Sequence, residues 1–137
     1  MNFEKIMRAS RLGAIMVLGV FLLAFGEGRI GTEQGNYFLK VKFATEPVRV
    51  GRTSMNLKIY DETTGQPSKG GLDVTVFPWM PFHEHGSREV PIVTSLGDGE
   101  YLVENLTFTM AGEWEVFVII KDEDIEDEAV FVVKVQK

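Results

Sequence analysis

From residue 37 onward the sequence predicts an all-β domain, an antiparallel sandwich of about seven strands. Three observations carry this expectation. Apolar and polar residues alternate in short runs, as they do in strands with one buried face. Clusters of Gly, Pro, Asn, Asp and Ser separate the runs at short intervals. No stretch beyond residue 37 repeats its apolar residues at helical spacing.

The strands are expected in this order. Tyr37, Leu39, Val41 and Phe43 alternate with Phe38, Lys40 and Lys42. Pro47 and Gly51 punctuate, and Met55, Leu57 and Ile59 mark a second strand. The polar stretch Asp61–Pro67 is a turn, and Leu72, Val74 and Val76 form a third strand running into Pro78. Val90 to Thr94 is a short fourth strand, closed by the turn Leu96-Gly97-Asp98-Gly99. Tyr101 to Phe108 is the fifth. After Ala111-Gly112, Trp114, Val116, Val118 and Ile120 mark the sixth, and Ala129, Phe131, Val133 and Val135 the seventh. Seven strands with turns at this spacing suggest an immunoglobulin-like arrangement. Trp114, Phe117, Phe131 and Phe43 are expected to pack in the core or on a second face.

The first 26 residues do not belong to this pattern. Lys5, Arg8 and Arg11 precede Leu12–Phe25, an unbroken run of 14 apolar residues and glycines. A comfortable bilayer crossing takes about 20. The run suits the apolar region of a signal peptide, with small residues near Gly26 for cleavage. The alternative is a retained N-terminal anchor helix, touching membrane only through residues 6–25. Residues 27–36, rich in glycine and polar groups, are expected to be a flexible linker, leaving 37–137 as the domain.

The absence of cysteine excludes disulfides and thiolate metal sites. Loss of residues 1–26 would remove three basic residues and Glu4, taking the formal charge from −6 to −8. Such a surface argues against nucleic acid as a partner, and against anionic lipid meeting the folded domain. Lys121–Glu128 carries six acids in one hairpin tip. It lacks the ordered ligand positions of a calcium loop and is expected to be a solvated tip that guards a sheet edge.

The most distinctive stretch is Pro78-Trp79-Met80-Pro81-Phe82-His83-Glu84-His85-Gly86-Ser87, which holds the only two histidines. Side chains at i and i+2 of an extended chain point the same way, so His83 and His85 could meet one ion. Two prolines in four residues should end the pairing of the third strand and release a loop. Imidazole and thioether suit copper. The expected donors are Met80, His83 and His85, with Met110, before the Ala111-Gly112 turn, as the distant partner. Trp79 and Phe82 are expected to shield the ion or to anchor an envelope protein that gives or receives it. There is no phosphate-cradling loop, no His-Glu-x-x-His pair and no triad arrangement, so no enzymatic role is expected.

Taken together, Met80-Pro81-Phe82-His83-Glu84-His85-Gly86, Gly97-Asp98-Gly99-Glu100-Tyr101 and Phe108-Thr109-Met110-Ala111-Gly112-Glu113-Trp114 resemble the YtkA-like and FixH-like domains of bacterial envelope proteins. The shared pattern is Met-Pro…His-Gly, then Gly-x-Tyr, then Met-x-Gly-x-Trp, over about residues 37–136. The resemblance implies an immunoglobulin-like sandwich outside the cytoplasmic membrane, periplasmic and either secreted or anchored. It also implies metal handling, including copper delivery and cation efflux, with Met80, His83, His85 and Met110 facing the metal. The leading alternative is a non-catalytic interaction module built on the Trp79/Phe82 loop.

Overall fold

A computed structural model describes residues 28–137. The N-terminal apolar run, with its signal or anchor reading, lies outside the described residues. Among the described residues nine strands form: β1 (Ile30–Gly31), β2 (Tyr37–Phe43), β3 (Gly51–Asp61), β4 (Asp73–Met80), β5 (His85–Gly86), β6 (Ile92–Gly97), β7 (Glu100–Phe108), β8 (Gly112–Lys121) and β9 (Glu126–Val135). Seven of them are the expected strands; β1 and β5 are two-residue additions at sheet edges. One sheet has the order β1-β2-β3-β7-β6 and the other β5-β4-β8-β9. Without the short additions, these orders coincide with the A-B-E-D and C-F-G sheets of a constant-type immunoglobulin sandwich.

The alternation seen in the sequence decides which side of each strand is buried. Leu39, Leu57, Ile59 and Val103 from the first sheet meet Val116, Val118 and Ile120 from the second, all fully buried. In β4 the inward phase is Val76, Pro78 and Met80, and Phe77 turns outward to stack on Phe117 at 4.9 Å. At one end of the sandwich, Phe108 and Trp114 pack edge to face at 5.4 Å.

Three expectations need correction. First, β4 does not stop at Pro78. It pairs with β8 through Trp79↔Glu115 and with β5 through Met80↔His85. The Pro78 carbonyl points toward Gly86 of β5, so its ring nitrogen also faces that sparsely paired edge, where a missing N–H is tolerated. Second, the expected linker is not free. Residues Thr32–Asn36 are bound to Asp127: the Thr32 hydroxyl donates to its carboxylate at 2.7 Å, the Gln34 N–H at 2.8 Å, and Asn36 through its backbone N–H at 3.1 Å and side-chain amide at 2.9 Å. Third, the acidic tip is not solvated throughout, because Asp127 is only 2% exposed. Its phase on β9 turns it inward with Ala129, and there the backbone donors of the N-terminal segment satisfy its charge.

Burial pushes the Asp127 carboxyl pKa up. The hydrogen bonds from Gln34, Thr32, Asn36 and the Glu128 N–H outweigh this and hold it below the ordinary aspartate range. Its contribution is therefore complete above the unfolded value of about 3.9 and fades as pH falls through the lower folded value. Asp127→Asn, which leaves buried donors facing an amide, is expected to cost about 2–3 kcal/mol in denaturant melts at neutral pH. The difference between the two proteins should shrink in acid. Hydrogen exchange should quicken at Gln34 and Asn36; unchanged exchange there would contradict the clasp.

Candidate functional site

At the end of the sandwich where β4 finishes and β8 begins, the chain builds a small rim. The backbone beyond Met80 does not stay extended. The His83 N–H donates to the Met80 carbonyl at 3.2 Å and the Glu84 N–H to the Pro81 carbonyl at 3.3 Å. Glu84 takes φ 55°, which turns the chain back so that His85 pairs with Met80. His83 and His85 are thus neighbours through a reversed turn and not through extended alternation. Their ring centres lie 5.9 Å apart, inclined by 33°.

Each side chain of the rim has a distinct setting. Met80 is 3% exposed, and with Pro81, Phe82 and His83 it forms one wall of an open cleft of about 640 Å³. Ala111, Gly112 and Glu113 form the other wall. His83 is exposed, with Phe82 edge-on to its ring at 5.4 Å. His85 is half-buried and meets the Trp114 indole edge to face at 5.7 Å. The Nδ1 of His85 lies 3.1 Å from the Gly86 carbonyl. A carbonyl only accepts, so Nδ1 is the donor in this contact, and in the neutral ring Nε2 is then the nitrogen with the lone pair. Phe82 is 87% exposed, whereas Trp79 points to the opposite face of β4 and is half-buried there.

Met110 holds the rim by its backbone. Its carbonyl accepts the Trp114 Nε1–H at 2.9 Å, and its half-buried side chain is not among those lining the cleft. Met80 and His83 share the cleft, and His85 stands beside His83. Glu113 is the lining carboxylate that sequence reasoning missed; its place directly after the Ala111-Gly112 turn was the available signal. Among the described residues, no group of three or more His, Asp or Glu side chains converges as a ligand set, so a metal here would draw on the thioethers as well as the imidazoles.

Two glycines make the arrangement sterically feasible. A Cβ on Gly112, whose φ is +134°, would sit 2.6 Å from the terminal methyl of Met80. A Cβ on Gly86 would sit 2.9 Å from the Pro78 carbonyl, inside the β4–β5 bridge.

The His-Gly and Met-x-Gly-x-Trp patterns thus have a steric cause in this chain. A family profile described as YtkA-like matches residues 32–118, more than half of the chain. The chain belongs to the YtkA-like family. The matched span holds the whole rim, from Met80 to Trp114, and reaches back to the Thr32 clasp. Searches of curated proteins and of solved structures found no match.

Gly112→Ala is expected to displace the Met80 side chain and destabilise the fold by about 1–3 kcal/mol, as overpacking does. The Met80 methyl resonance should shift in a carbon–proton correlation spectrum. Glu84→Gly should relieve the left-handed backbone and leave stability equal or higher by up to about 1 kcal/mol. A clear loss of stability in Glu84→Gly would show that the carboxylate itself holds the turn.

Proposed function

We propose that this YtkA-like protein is an extracytoplasmic metal-binding domain of the bacterial envelope, binding copper or delivering it to an envelope partner. The observation that supports this best is the shared position of Met80 and His83 on one cleft, with the His85 ring 5.9 Å from that of His83. One thioether and two imidazoles of this kind suit Cu(I), and the imidazoles alone suit Cu(II). The Nε2 of His85 is presented by the hydrogen bond on its other nitrogen. Met110 is the more distant member of the donor set and would have to turn its side chain toward the cleft. The proposed role is binding and hand-over without catalysis.

The exposed ring of Phe82 favours a second reading, in which the same rim is an interaction module and Phe82 anchors the partner. Trp79, half-buried on the far side of β4, would contribute less. The two readings differ in whether the imidazoles matter.

Titration with Cu(I) and Cu(II), each against a competing chelator, decides between them. His83→Ala with His85→Ala is expected to weaken binding of both ions by roughly 100-fold or more, about 2.8 kcal/mol. Met80→Leu, close in volume, should cost less than about 1.5 kcal/mol of stability and weaken Cu(I) binding while sparing Cu(II). Equal affinity in the wild type and the double histidine variant would remove the metal reading and leave the Phe82 module.

A further inference from the structure

Among the described residues, β6 is the last strand of its sheet, and no strand pairs with its far side. It differs from the other sheet margins. β1 and β5 are two residues long. β9 carries Glu126, Glu128 and Lys134, charges of the kind that keep an edge from pairing with another chain. β6 has six residues, Ile92–Gly97, and none is charged. Its inward phase is Val93, opposite Val103, and Ser95, opposite Tyr101. Ile92 is 56% exposed and Leu96 53%, and Val90, just before the strand, is 74% exposed. Two contacts hold this lead-in to the sheet while leaving Val90 outside. Asn105, at φ 60°, donates its side-chain amide to the Val90 carbonyl at 3.0 Å, and Arg52 meets Glu89 at 3.6 Å.

The second observation is that this strand is complementary to itself. Ile92 and Leu96 stand at equal distances in sequence on either side of Thr94. Arg88 precedes the strand, exposed and without an ion-pair partner among the described residues. The exposed Asp98 follows the strand, and Glu100 comes after the turn. Turned end for end, the strand presents apolar groups to apolar groups and a cation to carboxylates. A contact between identical surfaces requires this, because each residue must meet its complement across a two-fold axis. An axis normal to the sheet also keeps every side chain on its own face, so it passes through a residue and not between two.

We propose that β6 pairs antiparallel with β6 of a second copy of this chain, about a two-fold axis through Thr94, joining the two sheets into one. This register sets Ile92 of each copy opposite Leu96 of the other and carries Arg88 toward the end of the strand where Asp98 and Glu100 of the second copy stand. The edge's own backbone groups supply the hydrogen bonds, as in any strand addition, and the apolar cross-strand pairs add to them. The bulge at Leu96, between Ser95 and Gly97, twists the end of the strand and keeps the pairing short. One short strand falls below the roughly 800 Å² per partner of a standard interface. The association is therefore weak, with a dissociation constant on the order of 10–100 μM. Antiparallel pairing reverses the two copies, so their rims open at opposite ends of the joined sheet. The proposal is independent of the metal reading.

Sedimentation equilibrium of the full chain in mild detergent tests this. The dimer fraction should rise with protein concentration through that range. Ile92→Lys and Leu96→Lys, both at exposed positions, should each raise the dissociation constant about 10-fold or more while thermal melts stay as in the wild type. Arg88→Glu should weaken the dimer as well, and the effect should shrink in high salt. The absence of cysteine allows a second readout. A short thiol-reactive crosslinker should join copies of the Thr94→Cys variant and leave Val132→Cys, exposed on β9, monomeric. A chain that stays monomeric up to about 1 mM, a dimer indifferent to Ile92→Lys and Leu96→Lys, or equal cross-linking at both positions would overturn the proposal.

Discussion

The rim of this domain depends on one buried indole. Trp114 is fully buried at the start of β8. Its ring packs edge-on against Phe108 from the end of β7 and against His85 from β5, and its Nε1–H holds the Met110 carbonyl. One side chain therefore ties the core to both walls of the cleft. The hydrogen bond fixes the turn at 109–112, the turn places Gly112 against Met80, and the ring contact sets His85. A buried indole N–H needs a partner, and here the partner is the backbone that shapes the site. The rim is thus an extension of the core.

Much of the fold was legible because its strands obey a simple period. Leu39, Leu57, Ile59, Val116 and Val118 alternate without interruption, and each is buried. Legibility failed where tertiary contact overrode local composition. Thr32–Asn36 has the glycine and polar content of a linker, yet it is ordered by a carboxylate more than 90 residues away in sequence. Asp127 itself was hidden among five other acids, and only its inward phase on β9 distinguishes it. Neither end of that interaction is readable without the other.

The candidate site was legible in its residues and less so in its geometry. The grouping of Met80, His83 and His85 was visible from spacing. The means of grouping was not, since it depends on a left-handed Glu84 and on Pro78 facing a sheet edge, and composition announces neither. Trp79 and Phe82 read as a pair of exposed aromatics, but strand alternation sends Trp79 to the other face. Met110 read as a side-chain donor, whereas the structure engages its carbonyl. Glu113 went unnoticed because nothing in the sequence alone says that the two turns form opposite walls of one cleft.

The most direct measurement of whether this rim is the metal-binding end is paramagnetic broadening of backbone and indole amide resonances by sub-stoichiometric Cu(II). Resonances of residues 80–86 and 111–113 and the Trp114 Nε1–H should broaden first, with those of the 121–128 hairpin unaffected. Broadening that begins at the acidic hairpin and spares the Trp114 indole would contradict the assignment of metal chemistry to this end of the fold.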